Sequence, residues 1–243
     1  GTIGIVTIAL EENLIKPKVE GVLKIEVPAG TIQVNYKMKN EKVDWVEITN
    51  VDSYLADTNL TIHSNHLGEI KFDVSYGGNF YAIIESQKNY FGLNNYRAEE
   101  LISFSREIRD KINDKYENRF IHPIDKSIRD VSHILWTGQV LDDESSSRNA
   151  VFYGDKAIDR SPCGTGSSAR MAQLFSQNKL KVGEIFIHES YIGSKFVCRI
   201  EKSSKIHNID GISPIIRGWA KIHGYNKIIV DSSDPFYEGF QVI

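Results

Sequence analysis

The chain has 243 residues, 41% of them hydrophobic and 25% charged, with a formal net charge of -3 at pH 7. That length allows one large domain or two modest ones around a substantial core, while the charge leaves no basic footprint for nucleic acid and no polybasic patch for a membrane. Two cysteines cannot build a secreted disulfide framework, and without a secretory pattern or an apolar run long enough for a bilayer a cytoplasmic location is expected.

In chain order, Ile5, Ile8, Ala9 and Leu10 recur at helical spacing between Gly1 and Asn13, and Pro17 stops the pattern. Alternating runs at Val22 to Val27 and Thr31 to Tyr36, joined by Pro28-Ala29-Gly30, predict a β-hairpin, followed by a strand near Val43 to Thr49. Periodicity weakens from Asp52 to Asp57, a boundary between two lobes. Lys71 to Ile84 alternates around Gly77-Gly78, which marks a bulge, a hairpin turn or a close backbone approach.

Leu101, Phe104, Ile108 and Ile112 predict an amphipathic helix over Asn95 to Tyr116, with Asn95 as its cap and Arg106, Arg109, Asp110 and Lys111 on a solvated face. Val131 to Gln139 reads as a strand and Leu141 to Asn149 as an acidic exposed loop with no geometry for a metal. His63 and His66 stand three apart without helical context or a third ligand, so no metal is assigned there, and His133 reads as a packed histidine. Glu184 to His188 and Lys195 to Glu201 read as strands, the second holding Cys198 as a buried apolar thiol. Gly218 to His223 and Lys227 to Asp231 are expected to be the last strands, with Gly224-Tyr225 between them.

The stretch richest in chemistry is Asp159-Arg160-Ser161-Pro162-Cys163-Gly164-Thr165-Gly166-Ser167. Pro162 disfavours helix for Ser161, and the two glycines permit angles that other residues resist, so Cys163 should occupy a tight turn feeding a helix that starts near Ser167. At a helix N-terminus the dipole and unpaired N–H groups favour a thiolate and can hold a carboxylate or phosphate. No lysine follows the second glycine, which excludes a phosphate-binding P-loop, and the spacing is not that of a dinucleotide fingerprint.

Asp-Arg-Ser-Pro-Cys-Gly-Thr-Gly resembles the second active-site motif of the proline racemase family, which includes proline racemases, hydroxyproline epimerases and hydroxyproline dehydratases. Asp73 to Ala82, Val131-Ser132-His133, His188-Glu189-Ser190 running to Ile192-Gly193-Ser194, and Asp234-Pro235-Phe236 through Glu238-Gly239-Phe240 agree with it. Gly1-Thr2-Ile3-Gly4 resembles the tail of the family's first motif, Cys-Gly-His-Gly-Thr-Ile-Gly, whose catalytic residue would lie three positions before Gly1. The chain is accordingly expected to be the larger C-terminal part of a longer enzyme.

The resemblance implies an α+β, two-lobed fold of the diaminopimelate epimerase kind, each lobe made of antiparallel strands around a helix. An incomplete first lobe is expected from residues 1–51 and 226–243, and a second lobe carrying Cys163 from residues 52–225. It also implies a racemase or epimerase that inverts the α-carbon of proline or hydroxyproline with two opposed acid–base groups and no pyridoxal phosphate or other cofactor. Carried over, Cys163 is one acid–base thiol, Gly164 and Thr165 offer N–H groups to the substrate carboxylate, Asp159 pairs with its nitrogen, and Gly1 and Thr2 also belong to the substrate-binding residues. Asp159 as a turn cap and Thr165 as a plain helix cap are the bland alternatives. Cysteine rather than threonine at position 163 points away from a dehydratase. The Gly77-Gly78 turn should face the cleft, and Phe196 with it. A homodimer is expected, with no nucleic-acid or membrane partner. The other reading is an inactive, amino-acid-binding remnant.

Overall fold

Alternating apolar residues dominate the chain, and in the computed structural model, which describes residues 1–27 and 30–239, they form strands. The elements are α1 (Thr2–Glu11), β1 (Val22–Val27), β2 (Gly30–Lys39), β3 (Lys42–Thr49), β4 (Ser53–Ser64), β5 (Gly68–Tyr76), β6 (Phe80–Ile84), α2 (Ala98–Lys115), β7 (Val131–Gly138) and β8 (Ser147–Tyr153). They continue as β9 (Ala157–Ile158), α3 (Gly164–Ser176), β10 (Ile185–Glu189), β11 (Lys195–Ile206) and β12 (Ile209–Gly218).

The hydrogen-bonded order is β1-β2-β3-β12-β11-β10-β8-β7-β6-β5-β4, and β12 also pairs with β4 through Gly211↔Tyr54 and Ile212↔Ser53. The strands from β4 to β12 thus close on themselves around α3, whose residues Gly166 to Leu174 are all buried because a helix inside a barrel has no solvent face. Most pairings are antiparallel, while β6–β7 and β8–β10 are parallel. α2 covers the outside of the barrel. Alternation along each covered strand therefore serves two cores. Tyr81 and Ile83 of β6, Leu135 of β7 and Val151 of β8 cluster with Cys163 and Ala169. Their neighbours Phe80, Ala82, Ile84, Ile134, Trp136, Ala150 and Phe152 pack with Leu101, Ile108 and Ile112 of α2. A third core joins α1 and β1–β3 to the far side of α3 and to β10–β12, through Ile3, Val6, Leu10, Val34, Val46, Met171, Phe186 and Ile216.

The hairpin β1–β2 forms with Val27 opposite Gly30, although Pro28 and Ala29 of its expected turn lie outside the described residues. Several expectations are corrected. In α1 the buried face is Ile3, Val6, Thr7 and Leu10, with Ile5 and Ile8 exposed. At the expected lobe boundary, Asp52 to Asp57, the polar stretch is itself strand, since β4 begins at Ser53 and runs through it. α2 begins at Ala98 rather than Asn95, which lies in a short 3-10 turn, and the Glu100 carboxylate accepts the Arg97 amide at 2.9 Å. Ser147, Arg148 and Asn149 belong to β8, not to the acidic loop before it. β12 lay hidden in sequence because Pro214 sits inside it. The strand accommodates the missing N–H where β11 bulges between Ile200 and Lys202. The strands expected at Gly218 to His223 and Lys227 to Asp231 are irregular beyond Gly218, and Tyr225 instead donates its hydroxyl to Glu12 at 2.7 Å. Phe240 of the last resembling stretch is outside the described residues. No helix among them is long and apolar enough to cross a membrane.

Trp136, fully buried between β7 and α2, donates its indole N–H to Ser105 Oγ at 2.8 Å. Ser105→Ala leaves that donor unpaired away from water, and the expected loss is about 1–3 kcal/mol, read as a lower urea midpoint with an unchanged slope.

Candidate active site at two helix N-termini

Cys163 is the N-cap of α3, so the helix begins at Gly164, three residues earlier than the sequence reading placed it. Its φ of 64° and ψ of 116° fall in a region that non-glycine residues avoid, a strain worth on the order of 1–3 kcal/mol that must be held by its surroundings. Those surroundings come from the loop itself and from β8. The Cys163 amide donates to Ser161 Oγ at 3.1 Å, the Ser161 amide donates to Asp159 Oδ1 at 2.9 Å, and Asn149 Nδ2 donates to the Pro162 carbonyl at 2.9 Å. Beneath the loop, Ser167 Oγ lies 2.8 Å from His188 Nδ1 and donates to the Pro162 carbonyl at 3.3 Å. Burial holds His188 down to about 3, so the ring is neutral.

Cys163 is buried, and its sulphur meets three polar groups. The Gly166 amide donates to it at 3.4 Å, the Tyr81 hydroxyl lies 3.4 Å away and the Thr165 hydroxyl 3.6 Å. Gly164 and Thr165 carry the leading amides of the helix, ahead of Gly166, which serves the sulphur, and Ser167, which donates to the Cys163 carbonyl at 2.8 Å. The proton affinity of the thiol corrects the expectation from the helix dipole. Burial, with the nearby charge of Asp159, pushes Cys163 above the ordinary thiol value, and the hydrogen bonds from Tyr81, Thr165 and Gly166 offset only part of this. Without a ligand the group rests as a thiol.

Gly77 is needed for a reason other than its turn. A Cβ there would stand 2.2 Å from the Thr165 carbonyl oxygen and 2.6 Å from the Ala169 amide, so the β5–β6 turn presses directly on the first turn of α3. Asn50 locks the same contact, donating from Nδ2 to the Gly77 carbonyl at 3.1 Å and to Ser168 Oγ at 2.9 Å.

All six residues singled out from sequence, Gly1, Thr2, Asp159, Cys163, Gly164 and Thr165, line one cleft of about 650 Å³. Gly1 is the N-cap of α1, so two helix N-termini open into the same space. Ile32, Ile48, Phe196, Ile216 and Trp219 give the cleft apolar surface, and Asn50, Asn79 and Arg160 add polar groups, a composition typical of a small-molecule site. Gly78 and Phe196 therefore line the cleft as the resemblance implied, with Asn79 beside them, while Gly77 packs on the helix. His133 stays out of the cleft lining, stacked on Tyr81 at 4.7 Å between ring centres and held neutral, down to about 4, by burial and the Arg109 charge. Cys198 is fully buried, its thiol raised by that burial. Tyr81 and Asn50 were the residues that sequence reasoning missed. Only the position of Tyr81 within Asp73 to Ala82 could have flagged it.

The proline racemase family model matches residues 1–241. The chain belongs to the proline racemase family. It is 55% identical over 243 residues to a 4-hydroxyproline 2-epimerase of Spirosoma linguale and 51% identical to one of Shewanella loihica, in each case covering all of this chain and 72% of the relative. The crystal structure of a hydroxyproline epimerase from Agrobacterium vitis with bound trans-4-OH-L-proline superposes with a TM-score of 0.90 at 27% identity, over 99% of this chain and 69% of that one. A PhzF-family protein of Bacillus anthracis, at TM-score 0.58 and 14% identity, shares the fold. The α+β, diaminopimelate epimerase-like architecture expected of this racemase family is thus the one observed.

Proposed function

We propose that this proline racemase family member is a cofactor-independent epimerase that inverts the α-carbon of 4-hydroxyproline, with Cys163 as one of two opposed proton-transfer groups. The observation that carries the reading is Cys163 at the N-terminus of α3, lining a cleft into which a second helix N-terminus also opens. The substrate carboxylate sits against the Gly164 and Thr165 amides, where the dipole and N–H groups favour a negative charge and draw electrons from the α-carbon. Asp159 takes the ring nitrogen. That cation cancels one of the two influences that raise the Cys163 thiol, so binding itself eases formation of the thiolate. In one direction the Cys163 thiol delivers its proton to one face of the carbanion after a base on the other face has taken the α-proton; in the reverse direction its thiolate takes the proton. The family resemblance places the opposing group in the motif that ends at Gly1-Thr2-Ile3-Gly4.

The same reading treats α1, β1–β3 and the returning tail as part of a first lobe. It includes a homodimer, supported by the exposed Ile5 and Ile8 of α1, and a reducing cytoplasmic setting, supported by two free cysteines. The test is incubation of the full-length protein with cis- and trans-4-hydroxyproline in deuterated water. Deuterium at the α-carbon of both epimers, with inversion followed by circular dichroism, is expected. Binding without any exchange from either epimer would support the amino-acid-binding remnant instead.

Asp159→Asn separates two roles of one carboxylate. Loss of a charge-assisted contact of about 2 kcal/mol should lower kcat/KM for 4-hydroxyproline about 30-fold. In the ligand-free protein, however, removing a negative charge beside the sulphur makes the thiolate easier to form. The pH at which Cys163 becomes reactive to iodoacetamide should therefore fall. An unchanged or higher alkylation midpoint would show that the Asp159 charge does not reach the thiol.

A further inference from the structure

Among the groups around the sulphur, one has no part in binding a substrate. Tyr81 lies on the inner face of β6, fully buried, with its hydroxyl 3.4 Å from Cys163 Sγ and 2.6 Å from Thr165 Oγ1. Its ring is closely packed. His133 stacks on it at 4.7 Å, and Gly166 approaches so closely that an added Cβ there would be 3.3 Å from Tyr81 Cε1. A tyrosine hydroxyl so placed has its direction fixed by packing, not by solvent.

We propose that Tyr81 is the positioning residue for Cys163: with Thr165 it forms a hydroxyl pair that aims the sulphur into the cleft and supplies the hydrogen bond that supports its charged form. The hydrogen inventory explains why a pair is used. Two hydroxyl protons serve three polar atoms, so the short Tyr81–Thr165 contact can run in either direction. If Thr165 donates to Tyr81, the phenol proton is free for the sulphur; if Tyr81 donates to Thr165, the threonine proton is. The thiolate is thus supplied with a hydroxyl proton as well as the Gly166 amide, and the thiol can be left undisturbed when its own proton faces the substrate. The phenol keeps its proton throughout, because burial and the neighbouring Cys163 and Asp159 raise it well above an ordinary tyrosine. The charged and titratable groups around the sulphur are few. Asp159 opposes the thiolate from the loop, Tyr81 assists it from β6, and His133 on β7 stands neutral behind the phenol with Arg109 acting on it.

The inference rests on Cys163 being the proton-transfer group, and the test separates the two. Alkylation of the Cys163 peptide by iodoacetamide, read by mass spectrometry against pH, reports the thiol's proton affinity whether or not any substrate turns over. Buried Cys198 gives a separate peptide in the same digest. Tyr81→Phe keeps the ring and removes only the hydroxyl. Only the Thr165 hydroxyl, farther from the sulphur at 3.6 Å than the phenol at 3.4 Å, then remains to serve the thiolate, so the alkylation midpoint should move up by as much as about one pH unit, with up to roughly tenfold slower labelling below the midpoint. Replacing Tyr81 by 3-fluorotyrosine, a stronger donor, should move the midpoint down. Opposite signs from the two variants would not arise from a packing defect. In exchange assays Tyr81→Phe should lower kcat about tenfold or more while KM changes less than about threefold. An unmoved midpoint in both variants would overturn the role of Tyr81. Shifted midpoints with normal α-proton exchange would instead overturn the role of Cys163.

Discussion

Replacing Cys163 with serine should lower α-proton exchange from 4-hydroxyproline by about 10³-fold or more, the upper part of the range for loss of a general acid–base group. The reason is the chemistry of the atom, since a serine hydroxyl forms an anion far less readily than a thiol. The geometry around it should persist. Serine retains an acceptor for the Gly166 amide that now reaches the sulphur at 3.4 Å, and the loop contacts from Ser161, Asn149 and Asp159 involve the backbone of the turn and not the thiol. Binding of the amino acid, measured calorimetrically, should therefore change by less than about fivefold, because the Gly164 and Thr165 amides and Asp159 remain. A variant that exchanges the α-proton at the parent rate from both epimers would remove Cys163 from the mechanism.

Gly77→Ala is the substitution with the largest expected effect on stability. The added methyl would enter at 2.2 Å from the Thr165 carbonyl oxygen and 2.6 Å from the Ala169 amide, both backbone atoms of an enclosed helix. Nothing flexible can yield there, since α3 is surrounded by strands and Asn50 pins Gly77 and Ser168 together. The expected loss is about 3 kcal/mol, at the top of the range for overpacking a core. Any surviving folded protein should exchange poorly, because Thr165 lies in the turn that carries Cys163. Gly224→Ala, where an added Cβ meets nothing within 4 Å, is the control and should leave the urea midpoint nearly unchanged. Equal midpoints for the two variants would mean that the β5–β6 turn yields more easily than its contacts suggest.

What could be read in advance was whatever short-range preference decides. Pro162, Gly164 and Gly166 impose a turn and a helix start within a few residues, and the stripe Leu101, Ile108, Ile112 marks one face of α2 without help from the rest of the chain. The strands β1, β2, β5 and β7 were legible for the same reason. α1 was legible as a helix but not in its orientation. It is apolar nearly all round, so its period does not choose between Ile5 and Ile8, which are exposed, and Ile3, Val6 and Leu10, which meet the sheet. β12 escaped because Pro214 is a breaker by local rules and is tolerated only because the neighbouring strand bulges opposite it.

The sequence by itself determined that Cys163 would stand at a helix N-terminus, flanked by the amides of Gly164 and Thr165 and by Asp159, since all of these lie within one loop. Only the tertiary structure decided that Gly1 and Thr2 share the cleft with them, that Tyr81, 82 residues away, reaches the sulphur, and that the thiol rests protonated. Each of these depends on distance through space. β6 is buried on both faces, so alternation alone could not say whether Tyr81 or Phe80 points at α3. The balance between burial, the Asp159 charge and three hydrogen bonds was likewise settled only when the strands closed around the helix and buried the thiol beside Tyr81.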